Sequence, residues 1–225
     1  MKERARIRRI PRRGVYDRRV IDAILDEGFI CHVGFAHGGQ PFVIPTAYAR
    51  VGDELYLHGA RGNHALRSLR SGAPACVTVT LVDGLVLARS AYHHSINYRS
   101  VVVFGEAREI ADEREKLAGL RAVVEHLVPG RWDDARPPNE NELKATLLLA
   151  IAIDEASAKV RTGPPGDDDE DYELPIWAGE LPLAMEFGRP VSDPRLAFSL
   201  VPPTYVSEYK RPRNGEADAL IAGIQ

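Results

Sequence analysis

Two periods of apolar residues divide the chain. Between Asp17 and Gly28 the positions Val20, Ile21, Ile24 and Leu25 form one helical stripe, which Asp17 can cap and Gly28 can end. Strand-like runs follow. "FICHVGFA" leads through the turn "HGGQP" into "FVIPTAYAR", and "VGDE" turns the chain into "LYLHG". Pro45 falls inside the second run, which implies an edge position or a bulge there. A short helix is expected over about Asn63 to Arg70. After it, "ACVTVTLVD" and "LVLARS" read as a hairpin about Asp83-Gly84, "SINYRS" as a polar connection, and "VVVFGEAREI" as a long strand with a bulge at Gly105.

The helical period returns in "DEREKLAGLRAVVEHLV", where Leu117, Leu120, Val123, Val124 and Leu127 share a face. "NENELKATLLLAIAID" starts as a helix and can end as a strand. Three polar stretches suggest limits to the packed unit. Residues 1–16 are an arginine-rich arm, 163–173 an acidic mobile loop, and 206–225 a loosely attached tail, which leaves one domain over 17–205. Many consecutive antiparallel strands with few helices predict a mainly β fold. Closure into a barrel is the simplest way to hide its edges.

Composition narrows the function classes. A formal charge of −3 and a pI near 6.2 give no reason to expect a nucleic-acid partner. No run has the length of a membrane span, and no signal-peptide segment follows the basic start. Cys31 and Cys76 sit in apolar runs without metal-ligand spacing, so reduced, buried thiols and a cytoplasmic location are expected. A nucleophile elbow, an H-E-x-x-H zinc motif, a dinucleotide fingerprint and a P-loop are all missing. No metal site is expected. The adjacent His93 and His94 would point to opposite faces of a strand.

Two polar stretches carry the chemistry. "HGARGNHALRSL" places a glycine turn at the start of a helix, where free N–H groups suit a phosphate. Asn63 can donate through its amide, and His64 or Arg61 can add charge. The plainer alternative is that Asn63 only caps the helix. "HHSINYRS" collects the donors Asn97, Tyr98, Arg99 and Ser100 between apolar runs, and buried donors need partners.

These stretches occur in order with "QPFVIPTAYAR", "CVTVTLVDGLVLARS", "SAKVRTGPPGDDDEDYELP" and "IWAGELPL". The set resembles the pyridoxamine 5'-phosphate oxidase-like family of FMN-binding split barrels, in the flavin-nucleotide-binding branch related to nitroimidazole-resistance proteins. The resemblance implies a six-stranded antiparallel split barrel and a homodimer with FMN at the subunit interface. It places Ile44, Pro45, Thr46 and Tyr48 along the flavin ring. Leu57, His58, Asn63 and His64 fall at the ribityl phosphate, with Arg61 and Arg99 as supporting cations. Asn97, Tyr98, Arg99 and Ser100 fall on the polar segment before the long strand, Trp177 on the partner-facing aromatic, and Lys159 on a further contact. Asn63-His64 stands where the oxidases carry Arg-Lys. The late arginine-and-histidine motif that holds pyridoxine phosphate in those oxidases is absent here.

The implied activity is FMN-dependent redox chemistry on a small molecule. A non-catalytic flavin-binding or storage protein is the second reading. A haem-binding split barrel is the third, with His58, His64, His93 or His94 as possible iron ligands. It is disfavoured because no late ligand-bearing extension is identifiable in the sequence.

Overall fold

The computed structural model describes residues 3–196, 200–211 and 215–223. Ten strands are present among them: β1 (Gly14–Val15), β2 (Ile30–His37), β3 (Gln40–Val51), β4 (Glu54–Ala60), β5 (Ala75–Leu87), β6 (Ser95–Gly105), β7 (Ala107–Glu109), β8 (Thr146–Ala152), β9 (Ala156–Arg161) and β10 (Gly179–Pro182). The helices are α1 (Arg18–Glu27), α2 (His64–Arg70), α3 (Glu113–Leu127), α4 (Glu140–Ala145), α5 (Thr204–Ser207) and α6 (Gly215–Ala222). The pairings are antiparallel, in the order β1-β9-β6-β5-β2-β3-β4-β8-β7, with β10 added to the end of β5. One core takes side chains from β2 through β6, from β8 and β9, and from α1 and α2, so the sheet wraps around it. The mainly β, split-barrel class is as expected. The strands outnumber the expected six, and three of the four extra ones, β1, β7 and β10, are short additions to the barrel.

β3 explains the placement of its prolines. It pairs with β2 from Gln40 to Ala47 and with β4 only from Tyr48 onward. Pro41 and Pro45 therefore lie where β3 has a single strand neighbour, and the missing N–H breaks no ladder on the open side. α1 is capped as its sequence predicts, with the Asp17 carboxylate accepting from the Arg19 N–H at 2.9 Å. Gly28 ends α1 for a steric reason and not for a left-handed turn. Its φ is −69°, and a Cβ there would stand 2.5 Å from Val79 and 2.7 Å from the Tyr48 hydroxyl.

Several expectations fail for physical reasons. The Asp83-Gly84 turn does not form. β5 runs straight through with a bulge between Val82 and Gly84, and β6 pairs along its whole length. "SINYRS" is thus strand and not connection. β10 covers Gly84 so closely that a Cβ would meet the Leu181 carbonyl at 2.9 Å. Gly105 ends β6 instead of bulging within it.

The basic arm also packs. β1 pairs with β9, Ala5 is buried, and Arg4 reaches the buried Glu155 at 2.8 Å. The acidic loop is pinned by Asp167, which accepts from the Arg89 and Ser90 N–H groups at 3.0–3.2 Å and pairs with the Arg89 guanidinium. The tail is docked through Tyr209, Arg211 and α6, whose Ile221 joins the main core.

α3 turns most of its expected apolar face inward, with Leu120 packed against the Tyr56 cluster and Val124 and Leu127 half-buried. Lys116, Gly119 and Val123 are buried, whereas Leu117 is exposed. Gly119 is the contact point. A Cβ there would lie 2.5 Å from Leu148 and 2.7 Å from the Tyr56 ring, both buried. Gly119→Ala gains about 1 kcal/mol of helix propensity and incurs about 1–3 kcal/mol of overpacking. Net destabilisation by about 1 kcal/mol is expected in urea unfolding. A more stable Ala variant would disprove this packing contact.

Candidate functional site

A cavity of about 950 Å³ lies on the outer side of the β2-β3-β5 region. Its floor comes from the barrel: Ile30 and His32 on β2, Pro45 on β3, and Thr80 to Asp83 on β5. Its other wall comes from the late chain, namely Leu183 to Phe187 and Tyr209 to Arg211. β2 alternates, with Cys31, Val33 and Phe35 buried in the core and Ile30 and His32 exposed on the opposite face. Burial pushes the Cys31 thiol up to about 12, so it stays an inert thiol.

Two arginines hold the cavity's end. Arg99 is buried between two carboxylates, with Asp83 at 2.7 Å and Glu27 at 2.5 Å. Burial pulls its pKa down, but the hydrogen bonds to Asp83 and Glu27 outweigh that and raise it. Arg211 donates to the carbonyls of Asp26 (2.7 Å), Glu27 (2.9 Å), Gly28 (2.9 Å) and His126, and lies 4.2 Å over the Phe29 ring. These carbonyls close α1 and the end of α3, so the guanidinium ties the late chain to two helix C-termini. Phe187 packs edge-on against Tyr209 and Phe29, at 4.6 and 6.1 Å between ring centres. Beside them His126 contacts the Gly28 carbonyl at 2.7 Å and the Tyr48 ring.

A second, smaller polar pocket lies at the start of α2. Asn63 caps the helix, its side-chain oxygen accepting from the Leu66 N–H at 3.1 Å. The exposed His64 ring packs edge-on to His37 and Phe42, at 4.8 and 5.3 Å. Arg67 and Ser68 complete this pocket, and Ser68 contacts His37 at 3.2 Å.

The residues singled out in the sequence separate into two groups. Ile44, Pro45, Arg61, Asn63, His64 and Trp177 are exposed, and Thr46 and His58 are half-buried. Ile44 and Phe42 share a strand face, which brings Ile44 towards His64. Pro45 faces the large cavity instead.

Several of the others are taken up by the fold. Tyr48 and Leu57 have no exposed surface. The Tyr48 hydroxyl donates to the Leu25 carbonyl, so its side chain does not lie along a ring, and the buried Leu57 side chain does not reach a phosphate. His58 shares its strand face with Tyr56, which packs in the cluster of Ile110, Leu148 and Leu120, and this turns it from the α2 pocket. Its Nδ1 is buried without a hydrogen bond, and burial lowers its pKa.

Asn97 is a structural clamp. It donates to Glu180 at 2.6 Å and to the Gly163 carbonyl at 3.2 Å, and accepts from Arg161. Ser100 donates to the carbonyl of Lys159 across the β6–β9 ladder, and Tyr98 pairs with Arg161 in the same ladder. Neither supporting cation is free, since Arg61 pairs with Glu109 at 3.2 Å and Arg99 with its two carboxylates. His93 and His94 lie away from both pockets, His93 on Asp168 at 3.3 Å and His94 on the Ser90 carbonyl at 3.1 Å.

Sequence reasoning missed His32, Arg211 and the Leu183–Phe187 wall. His32 had a readable signal: the alternation of "ICHVGFAH" sets it on the face opposite Cys31 and Val33.

A barrel of this topology, with an open face at β3 and α2, defines a split-barrel protein, and sequence comparison names the family. Residues 17–160 match the pyridoxamine 5'-phosphate oxidase family, and the chain belongs to it. Two solved structures are similar over nearly the full length. The flavocytochrome Anf3 from Azotobacter vinelandii is 40% identical, with 94% of this chain and 98% of that one covered and a TM-score of 0.88. An FAD- and heme-binding protein from Mycobacterium smegmatis is 38% identical, covering 90% and 100%, with a TM-score of 0.86. A structure described as a 5-nitroimidazole antibiotic resistance protein from Bacteroides thetaiotaomicron shares the fold at 23% identity, covering 65% and 86%, with a TM-score of 0.56. No curated protein sequence matches the chain. Among the described residues no helix is long and apolar enough to cross a membrane.

Proposed function

We propose that this protein binds a flavin nucleotide and a haem and transfers electrons between them and a small-molecule substrate. The observation that carries this reading is the 40% identity to a flavocytochrome over 94% of the chain. The similarity to an FAD- and heme-binding protein over 90% of the chain agrees with it. It promotes the haem-binding reading from third place and joins it to the flavin reading. FAD is the favoured flavin, because it is the form that the second relative's name gives; FMN is the form that the split-barrel resemblance implies. The flavin supplies hydride and single-electron chemistry, and the protein supplies position and polarity.

The flavin is assigned to the family's shared barrel. Ile44 and Thr46 on β3 flank the ring, and the turn at Asn63 and His64 receives the phosphate. Asn63 keeps its amide NH₂ for a ligand while its oxygen caps α2. Trp177 and the polar strand β6 are the contacts made across a homodimer. Cross-strand neighbours Leu181, Leu85 and Ile96 expose a continuous apolar patch beside Trp177, the kind of surface that a second subunit covers. The haem part fits the chemistry of the large cavity, which is walled by apolar side chains and carries a histidine.

The test is an absorption spectrum of the purified protein, followed by release and chromatography of its cofactors. Flavin bands together with a Soret band are expected, and FAD and FMN separate on the column. Protein that holds no flavin and takes up neither form overturns the proposal. Asn63→Ala with His64→Ala is expected to weaken flavin binding roughly tenfold, the loss of about 1–2 kcal/mol of hydrogen bonding. Unchanged affinity in a fluorescence titration removes these two residues from the site.

A further inference from the structure

We infer that the 950 Å³ cavity is the haem site and that the His32 imidazole is the iron ligand. This inference rests on the haem part of the function proposed above. The first support is where the wall comes from. The family match ends at residue 160, yet the cavity is closed by Leu183 to Phe187 and Tyr209 to Arg211. A relative that matches 94% of the chain must share most of that late segment, and that relative is a flavocytochrome. The wall is an addition to the barrel shared with a cytochrome, whereas the flavin site belongs to the barrel itself.

The second support is elimination among the seven histidines. His126 is held by the Gly28 carbonyl and Arg211. His37 contacts Ser68, His93 pairs with Asp168, and His94 meets the Ser90 carbonyl. His58 lies on the α3 side of the sheet, and His64 packs among His37 and Phe42. Only His32 lines the cavity, and among the described residues its ring has no hydrogen-bond or salt-bridge partner.

The third support is chemical. Phe29, Ile30, Leu183 and Phe187 offer apolar surface to a porphyrin. Lys210, exposed and without an ion-pair partner among the described residues, lines the same opening and suits a propionate. An imidazole on a strand paired on both sides is a rigid donor. β2 is bonded to β3 along one edge and to β5 along the other at His32 itself, which faces Pro45 and Thr78.

The experiment is a haemin titration of the full-length protein, followed in the Soret band and by electron paramagnetic resonance. Wild type, His32→Ala, His32→Gly and the control His94→Ala, at a histidine that lines neither pocket, are compared at equal flavin content. The expected result is haem uptake by wild type and His94→Ala. The two His32 variants should bind at least roughly tenfold more weakly, the lower end of what even an outer-shell change costs a metal site. Added imidazole should restore the wild-type spectrum in His32→Gly, which separates loss of a ligand from loss of folding. An unchanged Soret band and resonance spectrum in His32→Gly would overturn the ligand assignment and leave the haem reading standing. A wild-type chain that takes up no haem overturns the haem reading itself. Loss of flavin with haem retained in the His32 variants would mean that the cavity holds the flavin, and that result also overturns the inference.

Discussion

Arg99→Met is expected to destabilise the protein by about 3–5 kcal/mol, the range for removing one partner of a buried ion pair. Met keeps the apolar stem of the side chain but leaves Asp83 and Glu27 facing each other across the site that the guanidinium filled. Arg99 makes four hydrogen bonds of 3.0 Å or less to these two residues, two at Asp83 and two at Glu27. It also joins the middle of β6 to the bulge of β5 and the end of α1, so its loss loosens the floor of the large cavity. Urea denaturation of the purified protein reads the effect. Adding Glu27→Gln and Asp83→Asn to the Met variant should recover part of the loss, because neutral amides no longer repel each other. A cost below about 1 kcal/mol for Arg99→Met would show that the pair is solvated and the triad unimportant to the fold.

The second large effect is acid destabilisation centred on His126. Burial, and then the adjacent Arg211 guanidinium, push its pKa from the ordinary 6.5 down to about 4, against the opposing pull of the Gly28 carbonyl and Asp26. Arg50 and the Tyr48 ring complete its surroundings. The unfolded chain binds this proton more readily than the folded chain. The contribution of neutral His126 is therefore fully present above pH 6.5. It declines as pH falls towards 4, where the folded form also protonates. The total is about 3 kcal/mol across that window. Urea midpoints measured between pH 7.5 and 4 should fall more steeply in wild type than in His126→Gln, which keeps a donor for Gly28 but does not titrate. Parallel pH profiles would sink the assignment.

Much of the barrel was legible because the signals were local. The helical stripe at Val20, Ile21, Ile24 and Leu25, the glycine turns after β2 and β3, and the cap at Asn63 each lie within a few residues, and each formed as read. Pro45 also behaved as a local rule requires, since the half of β3 that carries it has one strand neighbour. The Asp83-Gly84 turn shows where such rules stop. Its dipeptide favours a tight turn, but continuous pairing with β6 and the cover from β10 hold the strand extended through it.

The candidate site was only partly legible. The open turn at Asn63 and His64 was found because helix starts and glycine turns are written in sequence. Tyr48 was taken for a ring contact and Leu57 for a phosphate contact, but only the path of α1 and the wrap of the sheet decide that they are core. Arg99 looked like a phosphate ligand, but the two carboxylates that claim it come from 16 and 72 residues away. His32 was passed over because a single histidine in a strand carries no meaning until the opposite wall is known.

By itself, the sequence determined the period of most elements, most of their caps and turns, the buried Cys31 thiol and the mainly β class, whereas Cys76 is only half-buried. These follow from side-chain alternation and from backbone preferences that act over one or two turns. Tertiary structure alone decided that the basic arm, the acidic loop and the tail are packed parts of the fold. It also decided that Arg211 fastens the late chain across two helix ends, and that the exposed His32 lines a cavity walled by the late chain. Each of these depends on groups far apart in the chain meeting in space, and residue spacing does not encode such a meeting.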